Sequence, residues 1–97
     1  MPEPSNEQVE VYADSPNGWI IRTGGRRFPA AVVQGDSLYN LFSKARDLLA
    51  GLRNQPTPDA NLIDRAEGLV ELLGERVTLY EGVLQSYGIE LPYVRRD

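Results

Sequence analysis

The sequence predicts an α+β fold: a small three-stranded antiparallel meander followed by an antiparallel helical hairpin with a long second helix, in the order β-β-β-α-α. Three observations predict it. Up to Gln34, short runs of aromatic and β-branched residues alternate with clusters of Gly, Asn, Asp and Pro. From Leu38 onward, apolar residues recur at steps of three and four. The stretch from Thr57 to Gly88 then holds that spacing without a break, which marks it as one helix.

The elements follow in order. Residues 1–8 (MPEPSNEQ) read as a disordered tail ahead of a single domain over residues 9–97. Residues 9–13 (VEVYA) alternate apolar and polar and form the first strand. Asp14, Ser15, Pro16, Asn17 and Gly18 make a dense turn signal. Residues 19–23 (WIIRT) form the second strand. Gly24 and Gly25 suit a two-residue hairpin turn with both residues at positive φ. The return strand covers residues 26–34 (RRFPAAVVQ), with Pro29 at an edge, a bulge or the strand's start because it donates no ladder hydrogen bond. In this register Trp19 and Phe28 face each other across the hairpin and pack in the core.

The first helix runs from about Ser37 to Arg53, capped by Asp36 or Ser37. Its apolar stripe is Leu38, Leu41, Phe42, Ala45, Leu48, Leu49 and Leu52. Pro56 stops it, since the residue before a proline disfavours helix. The second helix takes Thr57 as N-cap, Pro58 at its first position and Asp59 in its first turn. Tyr87, Gly88 and Ile89 form its stop, with Gly at the left-handed position. The short link makes the two helices an antiparallel hairpin.

The long helix carries two apolar stripes. Ile63, Ala66, Val70, Leu73, Val77, Tyr80, Leu84 and Tyr87 form a continuous heptad seam, and Leu62, Leu69, Leu72, Leu79 and Val83 run beside it. At ~1.5 Å per residue this helix spans about 45 Å and the first about 25 Å. A compact domain of this size has a radius of gyration of about 13 Å, so the long helix projects beyond its neighbours. Two stripes need cover on two sides. A homodimer is expected, with Leu69, Leu72, Val77, Leu79, Tyr80, Val83, Leu84 and Tyr87 at its interface.

Composition narrows the function. Ninety-seven residues with a net charge of −4 do not supply the dense basic face that nucleic acid requires. The chain has no Cys and no His, which removes thiolate chemistry, cysteine zinc sites and the commonest general base. No apolar run approaches the ~20 residues of a membrane span, and no secretory signal is present. A cytoplasmic protein with no cofactor is expected.

Three groupings invite a functional reading. Asp64, Glu67, Glu71 and Glu75 form an acidic ridge on the long helix, either a face for a basic partner or a solubilising outer surface. Carboxylates on one helix face enclose no catalytic or metal site, so no enzyme activity is expected. Arg22, Arg26 and Arg27 form a basic hairpin tip, either an anion or partner contact or a solvated turn whose charge deters edge pairing. Tyr93 with Arg95 and Arg96 is a partner-contact candidate on the tail, and Leu91, Tyr93 and Val94 suit a return onto the domain or an edge strand.

Gly18-Trp19, Phe28-Pro29 and Gln34-Gly35-Asp36-Ser37-Leu38, with the apolar helix that follows, resemble the core of HicB-type antitoxins. The resemblance covers residues 17–49. It implies a protein that binds and silences a small RNase toxin. The whole chain is also similar to small bacterial proteins of unknown function, and in size and acidity to immunity proteins of toxin systems. The expected function is therefore a non-catalytic binding protein of antitoxin or immunity type. The alternative is a structural dimerisation module with no toxin partner.

Overall fold

The computed structural model describes residues 3–16 and 18–96. Met1 and Pro2 of the expected N-terminal tail, and Asn17 of the expected turn, lie outside the described residues. Three strands and two helices follow one another: β1 (Glu10–Ser15), β2 (Gly18–Arg22), β3 (Ala30–Val32), α1 (Gly35–Arg53) and α2 (Ala60–Ser86). The fold is the α+β arrangement that the sequence predicts. The chain divides into two compact units, one ending at Gln34 and one beginning at Gly35.

The first unit is an antiparallel sheet in the order β1-β2-β3. Val11 pairs with Ile21 and Ala13 with Ile20, so Tyr12 is the extra residue of a bulge. The β2–β3 connection departs from the expected tight hairpin. Ile21 pairs with Ala30, which leaves residues 23–29 as a wide loop, and the return strand is only Ala30–Val32. Gly25 has φ 81°, Gly24 is not at positive φ, and the Arg26 N–H donates to the Thr23 carbonyl at 3.2 Å. This turn has one left-handed residue at its third position, the pattern of type II rather than type I′. The physical reason is loop length: a wide loop does not have to match the twist of strands paired directly across it. Trp19 consequently pairs with Val32, not Phe28. Phe28 is 72% exposed, with the Arg27 guanidinium 5.3 Å from its ring centre, so the expected core pairing of Trp19 and Phe28 is not formed.

The second unit is the helical hairpin. α1 starts at Gly35, so neither Asp36 nor Ser37 is its cap; Asp36 lies in the first turn and accepts a hydrogen bond from the Ser37 N–H at 2.8 Å. At the other end Asn54 and Gln55 close the last turn before Pro56. The N-cap of α2 is Asp59, not Thr57: its Oδ1 accepts from the N–H groups of Asn61 and Leu62 at 3.0 and 3.2 Å. A carboxylate is a stronger acceptor than a hydroxyl and here serves two orphan donors. The C-terminal stop is as the sequence predicts. Gly88 has φ 70°, its N–H donates to the Gln85 carbonyl, and the Ile89 N–H donates to the Leu84 carbonyl at 2.9 Å. This pair of bonds is a Schellman motif.

Close contacts fix the levels of the two helices. Arg53 donates to Glu67 at 2.5 Å, Phe42 lies against Gly74, and the Tyr80 ring fills the space where Gly35 would carry a Cβ. With 27 residues against 19, α2 is longer than α1. The apolar side chains buried among the described residues are Tyr39, Ala45, Leu49 and Val77. That is a thin core for a hairpin of this length, and it leaves much apolar surface on the outside.

Candidate functional site on the long helix

At about 100° per residue, α2 divides into three faces. The heptad seam faces α1. Val77 is 3% exposed, and Ile63, Ala66, Val70, Leu73, Tyr80, Leu84 and Tyr87 are half-buried beside it. The second stripe is outside: Leu62, Leu69, Leu72, Leu79 and Val83 are all exposed, Leu79 to 65%. Arg65 and Arg76 lie within that stripe. The third face is the acidic ridge.

The expected interface residues therefore fall into two groups. Leu69, Leu72, Leu79 and Val83 remain on the surface, while Val77, Tyr80, Leu84 and Tyr87 are used inside the chain. Sequence reasoning missed Leu41 and Leu48 of α1, which it assigned to the packed stripe. Both are exposed, Leu48 to 65%. The signal was their separation of one heptad at the edge of that stripe.

Asp64, Glu67, Glu71 and Glu75 are all exposed. Glu67 is held by Arg53, whereas Asp64, Glu71 and Glu75 pair with no cation among the described residues. Among the described residues no group of three or more acidic side chains comes together as a metal site. Of the basic tip, Arg22 and Arg26 line the same hollow, and Arg27 lies over Phe28. Arg22 pairs with Glu10 of the neighbouring strand, which holds its guanidinium pKa above the usual value, and both residues line, with Arg26, this open hollow of about 390 Å³.

The tail returns onto the helices. The Tyr93 hydroxyl donates to Glu81 at 2.8 Å, and Arg95 lies 3.4 Å from the same carboxylate. The Arg96 N–H donates to the Tyr39 hydroxyl at 2.5 Å, and its guanidinium pairs with Asp47 at 3.1 Å. Tyr93 is thus engaged inside the chain rather than offered to a partner. Burial, and then the bond to Glu81, push its phenol pKa well above the tyrosine range. Val94 remains 89% exposed.

The fold and these faces define a small α+β protein of three strands and two helices. The chain belongs to a family of unknown function, DUF6959, whose model matches residues 4–93. No curated protein and no solved structure matches it. The family match is not to HicB-type antitoxins, so that resemblance rests on the motifs of residues 17–49 alone. Among the described residues no helix is long and apolar enough to cross a membrane.

Proposed function

We propose that this protein is a non-catalytic, cytoplasmic binding protein that works as a homodimer through α2. One observation carries the proposal: the seam of α2 is covered by α1, while Leu62, Leu69, Leu72, Leu79 and Val83 stay exposed beside it. Completing the burial of a half-exposed Leu or Val is worth on the order of 1 kcal/mol. Such a row from each of two copies gives on the order of 10 kcal/mol. That is comparable to the ~4–15 kcal/mol cost of association, before any charged contact is added. No catalytic role is proposed, because the chain has no His or Cys and no three acidic side chains come together among the described residues.

Sedimentation equilibrium at micromolar concentration tests the proposal. The wild type is expected to fit a dimer mass, and Leu72→Glu/Leu79→Glu/Val83→Glu a monomer. A monomeric wild type across that range, or a triple variant that remains dimeric, would sink it.

A second reading is favoured by Asp64, Glu71 and Glu75, which are exposed and pair with no cation among the described residues. They support the antitoxin type that the HicB resemblance implies, or the immunity type that size and acidity suggest, with a small basic toxin as partner. On that reading a basic protein co-purifies from the native host and is released by salt. Changing Asp64, Glu71 and Glu75 to their amides abolishes the capture. Binding that is indifferent to both would count against it.

A further inference from the structure

The exposed rows of α1 and α2 lie on one side of the helical hairpin. The tail marks the opposite side, because it touches Asp47 of α1 and Glu81 of α2. On α1, Asp47 lies on one flank of the packed row Phe42, Ala45 and Leu49, and Leu41 and Leu48 lie on the other. On α2, Glu81 lies on one flank of the seam, and the row from Leu62 to Val83 lies on the other. Seven exposed side chains thus form one apolar face that the tail does not reach.

The two rows are also centred at the same level. Phe42 against Gly74 sets the level, and the helices are antiparallel. Moving two to three residues forward from Phe42 therefore matches moving as far back from Gly74. The midpoint of Leu41 and Leu48 falls between Lys44 and Ala45, which places it beside Leu72. Leu72 is also at the middle of the row from Leu62 to Val83. A two-fold axis crossing both helices at this level returns each row onto itself, as an isologous interface requires.

We infer that a second copy of this chain covers the face hairpin on hairpin. Each α2 runs antiparallel to the partner's α2, and each α1 to the partner's α1, as a four-helix bundle. The inference rests on the self-association proposed above and specifies its geometry. Asp64, Glu67 and Glu71 of the acidic ridge lie off the face. Arg65 and Arg76 lie in the row, and an arginine can lay its aliphatic stem on apolar neighbours while its charged end stays in water.

Single cysteines test this geometry, since the chain has none of its own. Leu72→Cys sits at the axis. Leu62→Cys and Val83→Cys sit about 16 Å to either side of it. With a short bifunctional maleimide, Leu72→Cys is expected to link to itself, and Leu62→Cys or Val83→Cys alone is not. Co-expressed Leu62→Cys and Val83→Cys chains should link, as should co-expressed Leu41→Cys and Leu48→Cys chains. Sedimentation on the same samples separates the failures. A dimer in which Leu62→Cys links to itself as readily as Leu72→Cys overturns this arrangement in favour of parallel helices and leaves self-association standing. A dimer in which Leu72→Cys stays unlinked assigns the contact to another face. A monomer overturns self-association itself and leaves the apolar face to a different partner.

Discussion

The Tyr93 ring lies flat on the Tyr39 ring, with centroids 4.2 Å apart and planes within 10°. This stack, with the Glu81 bond, fixes the tail on the hairpin. An aromatic pair contributes about 0.5–1.5 kcal/mol beyond its burial, so Tyr93→Ala should lower stability by more than that amount. Tyr93→Phe keeps the stack and loses only the bond to Glu81. Urea unfolding of the three proteins should rank them wild type, Tyr93→Phe, Tyr93→Ala. Equal midpoints would show that the tail does not stabilise the hairpin.

The same phenol predicts a pH dependence. Its folded pKa is raised by burial and by Glu81, while in the unfolded chain it ionises near 10. The folded state therefore holds its proton longer. The associated stability is fully present below about pH 10 and falls as pH rises from there toward the folded value. The difference in stability between wild type and Tyr93→Phe should shrink across this alkaline window. A difference that grows would reverse the sign.

Glycine substitutions should move stability in opposite directions along the hairpin. A Cβ at Gly35 would overlap the Tyr80 ring, so Gly35→Ala is expected to destabilise by about 1–3 kcal/mol. Gly82 has open space around its Cβ position and ordinary helical φ, so Gly82→Ala should stabilise by about 0.4–1 kcal/mol. Thermal unfolding read at a fixed protein concentration checks both.

Ser43 is buried in α1 and its hydroxyl has no hydrogen-bond partner among the described residues. An unsatisfied buried hydroxyl costs about 1–3 kcal/mol, and Ala is the better helix former. Ser43→Ala should therefore raise the denaturation midpoint. A lowered midpoint would mean that the hydroxyl has a partner in solution.

The cap assignment can be read out directly. Asp59→Ala should cost about 0.5–2 kcal/mol, because it leaves the Asn61 and Leu62 N–H groups without their acceptor. Thr57→Ala should cost much less. Amide exchange at Asn61 and Leu62 should quicken only in the Asp59 variant.

Much of the architecture is local and was legible in the residues. The order of elements follows from turn residues and from the change of apolar period near Gln34. The end of α2 follows from Gly88, because a left-handed residue at that point is a property of glycine itself. The two stripes of α2 follow from its periodicity, which fixes the angle of every side chain around the axis. Periodicity does not say which stripe is covered. That depends on where α1 lies, and only the tertiary contacts of Gly35 with Tyr80, Phe42 with Gly74 and Arg53 with Glu67 place it. For the same reason Leu41 and Leu48 read as core residues although they are outside. The Trp19–Phe28 pairing failed because strand register depends on loop closure, and β3 begins only at Ala30. The choice of Asp59 over Thr57 was a competition between two suitable caps two residues apart, decided by which side chain reached the free N–H groups. The sequence by itself determined the elements and the faces they carry. Tertiary packing decided which face α1 and the tail cover and which stays exposed, because burial belongs to pairs of surfaces and not to one helix.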